Sequence, residues 1–195
     1  MNGSQNKKPD IILAVYSDKR TVFRLKDIAM LTGDTNFKSI NKKLNYIVRK
    51  GKLMNPRKGV YVKKDYNNEE LAGVLFTPTY ISLEYVLQKA GVIFQYDSAI
   101  TSVSYLSRTV TVDGQSYSFR KIKNQILINT KGVQQRDNHI NMAIPERAFL
   151  DALYLNPAFY FDNLNPLDAD LIIGLLPIYS SKALTARVKK LFPDA

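Results

Sequence analysis

Between Asn36 and Lys64 the chain carries ten Lys or Arg residues and no Asp or Glu, yet Phe37, Ile40, Leu44 and Ile47 recur at helical spacing. Together these facts constrain the fold. An apolar stripe along one side of a helix has to be buried against a partner. The opposite side, with Lys38, Ser39, Asn41, Lys42, Asn45 and Arg49, and with Lys43 and Tyr46 on its flanks, is then left facing outward. A plain solvated helix intersperses charges of both signs. This stretch has only one sign.

The flanking pattern places this helix third in a series. Ile11, Ile12, Val15 and Tyr16 give a first helix its apolar face, with Pro9 at the opening turn. Thr21 to Leu25 reads as one short strand. Leu25, Ile28, Ala29 and Leu31 line a second helix stopped by Gly33. Thr35 or Asn36 caps the third, which runs from about Phe37 to Lys50 and ends at Gly51. Two short strands then flank the turn Pro56-Arg57-Lys58-Gly59. Helix, strand, helix, tight turn, helix, hairpin is the order of a winged helix-turn-helix. The expectation is such a domain over residues 1–68 and a second domain over 69–195.

The charge follows the same division. Residues 1–68 hold 16 Lys/Arg against 5 Asp/Glu, a net +11, while residues 69–195 hold 12 of each. A basic surface of this kind attracts nucleic acid or an anionic membrane. The membrane reading is the weaker, because the core consumes the helix's apolar side and leaves nothing to insert. Double-stranded DNA is therefore the expected partner. Lys38, Lys42, Lys43 and Arg49, with Arg57 and Lys58 at the hairpin tip, are the expected phosphate contacts. Ser39, Asn41, Lys42 and Asn45 lie nearest the helix start and are the candidates for reading bases, with Asn suited to adenine edges.

The remainder reads as a mixed domain, so the whole chain is expected to be α+β. "DYNNEELAGVLFTP" suggests a connecting helix ended by Pro78. "YISLEYVLQKAGVI" suggests a helix capped by Ser82 and closed by Gly91. From Ala99 the segments "ITSVSYLS", "RTVTVDGQSYSFRKI" and "NQILINTKGV" read as strands, with Asp113-Gly114 a hairpin turn. "IPERAFLDALYL" returns to helix, with Pro145 in its first turn and Ala148, Leu150, Ala152 and Leu153 on its apolar side. "LDADLIIGLL" and "SSKALTARVKKLF" give a helical end.

Catalytic constellations are scarce. There is no cysteine, and the single histidine, His139, has no serine or metal-ligand spacing beside it. Asp168 and Asp170 precede a helix, where carboxylates favour the N-terminus. Glu146 and Asp151 are five apart and share a helix face poorly. No glycine-rich phosphate loop is present. The expectation is no enzyme activity, no cofactor and no metal. The N-terminal stretch lacks the pattern of a signal peptide, and "LIIGLLPIY" is about half the length needed to span a bilayer, so a cytoplasmic location is expected.

Two stretches resemble a known family. Tyr80, Ile81, Ser82, Leu83 and Glu84 match a tyrosine–(valine or isoleucine)–serine–leucine–glutamate motif. Ala143, Pro145, Glu146, Arg147, Ala148, Phe149, Leu150 and Asp151 match an alanine–x–proline–glutamate–(lysine or arginine)–alanine–(leucine or phenylalanine)–leucine–aspartate motif. Both resemble the antitoxins of AbiEi type, from abortive-infection systems classed as type IV toxin–antitoxin pairs. The resemblance spans most of residues 10–156. It implies a repressor of its own operon, binding inverted repeats in the promoter. It also implies a C-terminal domain that counters a cognate nucleotidyltransferase-like toxin, in some descriptions without a stable complex. The motif residues Ser82, Glu84, Pro145, Glu146, Arg147 and Asp151 also have a plain packing role open to them. In that role Ser82 is a cap, Pro145 a first-turn proline, and Glu146 with Arg147 an internal salt bridge. A ligand-responsive regulator and a DNA-targeted nucleic-acid enzyme stand as alternatives from other classes.

Overall fold

Asp10 starts the first helix, α1 (Ile11–Ser17), by accepting the N–H groups of Ile12 and Leu13 at 2.8 and 3.2 Å. The structure, a computed structural model, describes residues 10–193, so the expected opening at Pro9 lies outside the described residues. After β1 (Val22–Arg24), α2 (Leu25–Thr32) ends at Gly33, whose left-handed backbone (φ 63°) donates its N–H to Ala29 and Met30. Asn36 caps α3 (Phe37–Arg49) by accepting the Ser39 N–H at 3.0 Å. Strands β2 (Met54–Arg57) and β3 (Val60–Val62) follow. The central β3 pairs antiparallel with both β1 and β2, in the order β1-β3-β2.

The expected hairpin turn is two residues too wide. Pro56 and Arg57 belong to β2, and Lys58-Gly59 alone make the turn. Asn55 holds that corner, its side-chain amide donating to the carbonyls of Arg57 and Val60.

Ile11, Val15, Phe23, Ile28, Ile40, Leu44, Leu53 and Tyr61 form the first unit's core. Helix α4 (Asn68–Leu75) belongs to it as well. Buried Glu70 accepts the N–H groups of Thr21 (2.7 Å) and Val22 (3.1 Å), tying α4 to the edge of β1. The boundary between the two compact units therefore falls between Leu75 and Phe76, seven residues beyond the expected one. Up to Leu75 the chain holds 16 Lys/Arg against 7 Asp/Glu, and from Phe76 onward 12 against 10.

The second unit is built on a six-stranded mixed sheet in the order β6-β7-β5-β4-β9-β8. Its strands are β4 (Thr79–Ile81), β5 (Ile100–Ser104), β6 (Arg108–Val112), β7 (Gln115–Lys121), β8 (Val133–Gln135) and β9 (Asn141–Ala143). The hairpin at Asp113-Gly114 stands where the sequence puts it, with Val112 opposite Gln115. Helix α5 (Glu84–Lys89) follows β4; α6 (Asn124–Leu127) follows β7; α7 (Pro145–Leu155), α8 (Ala169–Leu175) and α9 (Lys182–Leu191) complete the unit. The whole is α+β.

Two expectations for this unit fail. "NQILINTKGV" is not a strand: Asn124–Leu127 forms one helical turn and only Val133–Gln135 is extended. Its apolar residues Ile126, Leu127 and Ile128 are consecutive rather than alternating, so nothing enforced a period of two. Nor does Ser82 cap a helix. Tyr80 and Ile81 are strand, the chain turns at Leu83 (φ 62°, ψ −141°), and α5 starts at Glu84 with no side-chain cap. A buried leucine with positive φ is a strained position that the surrounding fold must impose.

Candidate functional site

Helix α3 carries the sequence's candidate interface. Ile40, Leu44 and Ile47 are buried, and Lys38, Asn41, Lys42, Lys43, Asn45 and Arg49 are exposed. Ser39 is half-buried at the capped end. Phe37, expected in the apolar stripe, is half exposed instead, at 51%. It sits at the first helical position, where one more turn to complete the stripe is missing.

Not every cation on this side is equally available. Lys43 Nζ lies 4.0 Å from Asp34 Oδ2, a carboxylate 7% exposed. Arg57 is not a tip residue: it closes β2, and its Nη1 donates to the Leu75 carbonyl at 2.6 Å. Of that pair only Lys58 lies in the turn, and both residues are exposed. Lys50 Nζ lies 5.6 Å from the centroid of the exposed Tyr46 ring. The outward face is thus Lys38, Asn41, Lys42, Asn45 and Arg49. Tyr61, in the central strand β3, reaches this face from behind. Its hydroxyl donates to Asn41 Oδ1 at 2.9 Å, and burial pushes its pKa up.

The motif residues assemble elsewhere, inside the second unit. Tyr80, at the centre of β4, and Ser82, just beyond it, are two apart and so point the same way. Arg147 and Asp151 are four apart on α7 and share its face. All four meet there, joined by Tyr179 from the short 3₁₀ turn Leu176–Tyr179. Asp151 Oδ2 accepts from Tyr80 Oη (3.0 Å) and Ser82 Oγ (2.8 Å), and Oδ1 accepts from Tyr179 Oη (2.7 Å). Arg147 Nη2 donates to Tyr80 Oη (2.9 Å) and the Ile126 carbonyl (2.8 Å), and Nη1 to the Lys131 carbonyl (2.8 Å). Its Nε lies 3.5 Å from Asp151 Oδ1.

None of the five side chains is more than 3% exposed. Burial pushes the Asp151 carboxyl above its ordinary range, opposed by the Arg147 charge and the three hydroxyl donors. Burial, and then the Asp151 charge, push both tyrosines well above theirs, so the hydroxyls stay protonated and donate. Gly132 packs against the arginine stem. A Cβ there would meet Arg147 Cβ at 3.0 Å and Leu175 at 3.2 Å, on a backbone of φ 73° that disfavours any side chain. No substrate reaches a cluster so enclosed. Its chemistry is to fix β4, α6, α7 and the Tyr179 turn in one arrangement.

The other motif residues have separate partners. Glu146 does not pair with Arg147, as the sequence suggested; Arg147 is taken by Asp151, and Glu146 Oε1 accepts the Asp168 N–H at 3.2 Å. Glu84 pairs with Arg120 at 2.7 Å. Pro145 opens α7 as expected. Asp168 caps α8 through the Leu171 N–H. His139 is exposed in a short 3₁₀ turn ahead of β9. Among the described residues no group of three His, Cys, Asp or Glu is arranged to hold a metal ion. No helix among them is long and apolar enough to cross a membrane.

No protein-family model matches the chain, and no curated protein matches it. Among solved structures it is similar to the crystal structure of the RV2827C protein from Mycobacterium tuberculosis. That likeness has a TM-score of 0.56 at 14% sequence identity, covering 97% of this chain and 78% of that one. At such low identity the likeness is one of fold alone.

Proposed function

We propose that the chain is a DNA-binding autorepressor and antitoxin, with the first unit acting as a winged helix-turn-helix. One observation carries the DNA-binding part: α3 exposes Lys38, Asn41, Lys42, Asn45 and Arg49 from a capped, core-anchored helix, in a 29-residue stretch without a carboxylate. Cations neutralise phosphates and release counterions, and the side chains near the helix start reach base edges in the major groove. Lys58, exposed at the hairpin turn, offers a further cation for phosphate. The partner is duplex DNA of the chain's own promoter, and the setting is the cytoplasm.

The antitoxin part rests on the resemblance to the AbiEi-type family through the Tyr80–Glu84 and Ala143–Asp151 motifs. Most of those residues are the ones that organise the second unit's interior, so the family likeness supports a shared framework. The surface that would counter a nucleotidyltransferase-like toxin is not among them. Co-expression with the neighbouring gene tests the role: rescue of growth is expected, and a neighbouring gene whose product is harmless with or without this chain would refute it.

A second reading, a ligand-responsive regulator without a toxin partner, draws on a cleft of about 350 Å³ in the second unit. Glu84, Ile93, Asp97, Phe159, Tyr160 and Asp162 are among its lining. A small molecule that alters the gel shift and protects the second unit on heating would favour that reading.

A further inference from the structure

Resting on the reading of α3 as a base-reading helix, we infer that Asn41 turns its donors outward and reads an acceptor edge, guanine in preference to adenine, because Tyr61 holds its carbonyl. Tyr61 lies in the middle of β3, the central strand of its sheet, and is 3% exposed. A phenol so buried needs an acceptor for its proton. Among the described residues the acceptor it has is Asn41 Oδ1, at 2.9 Å. The side chain of Asn41 is otherwise exposed, on the fifth residue of α3. The bond decides which end of the amide faces the protein and which faces outward. The oxygen is turned in, and the two N–H groups of Nδ2 are displayed.

That orientation changes what the residue can read. Adenine is read by an amide that donates to N7 while accepting from the N6 amino group, which takes both ends of the side chain. With the oxygen turned in to Tyr61 and one of its two lone pairs taken, the second half of that pairing is weakened. Guanine instead offers two acceptors, O6 and N7, and no donor in that position. Lys38 and Lys42, beside Asn41 on the same face, are also donors without acceptor capacity. The face therefore matches a guanine-bearing site. Tyr61 does not touch the base; it is a positioning residue that sets the specificity of another.

The test uses the full chain and a duplex pool with a randomised segment, selected by gel shift and sequenced, for wild type, Asn41→Ala and Tyr61→Phe. Wild type should enrich guanine at one position, and Asn41→Ala should lose that enrichment. Tyr61→Phe should admit adenine there, narrowing the guanine-to-adenine ratio by about tenfold, while the salt dependence of binding stays as in wild type. A Tyr61→Phe profile identical to wild type, or adenine at the position that depends on Asn41, overturns the inference. If Tyr61→Phe folds poorly, 7-deazaguanine at that position probes the wild type directly: weakened binding is expected, and unchanged binding overturns the inference. Salt-dependent binding with no base enriched refutes base reading by Asn41 but leaves phosphate binding standing. No salt-dependent binding to any duplex refutes the DNA-binding reading, and the inference falls with it.

Discussion

The two units handle charge in opposite ways. The first keeps Lys38, Lys42 and Arg49 in water on one exposed face of α3, without a carboxylate between Asn36 and Lys64. The second takes Arg147 and Asp151 completely out of water and surrounds them with Tyr80, Ser82 and Tyr179. An exposed cation contributes little to stability, so a one-signed face has no explanation within the fold, and the proposed DNA partner supplies one. A buried ion pair has the converse logic. It is costly to desolvate, and it persists only where hydrogen bonds satisfy it, so it belongs to the fold.

Truncating the buried pair should have the largest effect. Arg147→Met leaves Asp151 buried without its counter-ion and should cost about 3–5 kcal/mol, read by denaturant unfolding of the full chain. A loss below about 1 kcal/mol would mean the pair is not structural. The double replacement Arg147→Met with Asp151→Leu should recover most of that loss, because no uncompensated charge remains. Next come the hydroxyls: Tyr179→Phe and Ser82→Ala each remove one donor to Asp151 and should cost about 1–2 kcal/mol.

On the exposed face the expectation reverses. Lys42→Ala with Lys43→Ala should change stability by no more than about 0.5 kcal/mol. It should weaken binding to all duplexes alike, and lower the steepness of the salt dependence by about one to two. Lys42 should account for more of this than Lys43, whose ammonium already faces Asp34. A loss of stability rather than of DNA affinity would erase the contrast between the units.

The smallest expected effect is in acid. Arg20 beside Asp18 holds that carboxyl below its usual range, so Asp18 contributes stability above its ordinary pKa that is lost as pH falls through the lowered value. Asp151 is raised by burial, so the native state holds the extra proton, and stability falls as pH rises through that window. Replacing Asp18 by Asn should flatten the first slope, and replacing Asp151 by Asn the second, in unfolding measured across acid pH. Slopes of the same sign would contradict the assignment.

Local signals made much of this legible. The apolar spacing of Ile40, Leu44 and Ile47, the cap at Asn36, the stop at Gly33 and the Asp113-Gly114 turn each act within a few residues. The sequence marks each of them, with the cap narrowed to Thr35 or Asn36. Tyr80 with Ser82, and Arg147 with Asp151, were also readable in pairs, since spacings of two on a strand and four on a helix put side chains on one face. What closed the cluster was Tyr179, distant in sequence and carrying no local mark. Tyr61 escaped for the same reason: its hydroxyl acts across the sheet-to-helix contact, while its place in the chain suggests only an apolar strand residue. The domain boundary moved because Glu70, a surface residue by composition, is buried on the N–H groups of Thr21 and Val22.

The central claim is that the exposed face of α3 exists to neutralise phosphate, and a gel-shift titration of the full chain against duplex DNA over increasing salt tests it most directly. With about four or five phosphate contacts, from Lys38, Lys42, Arg49, Lys58 and in part Lys43, affinity should fall with a log–log slope near −4. An affinity indifferent to salt would contradict it.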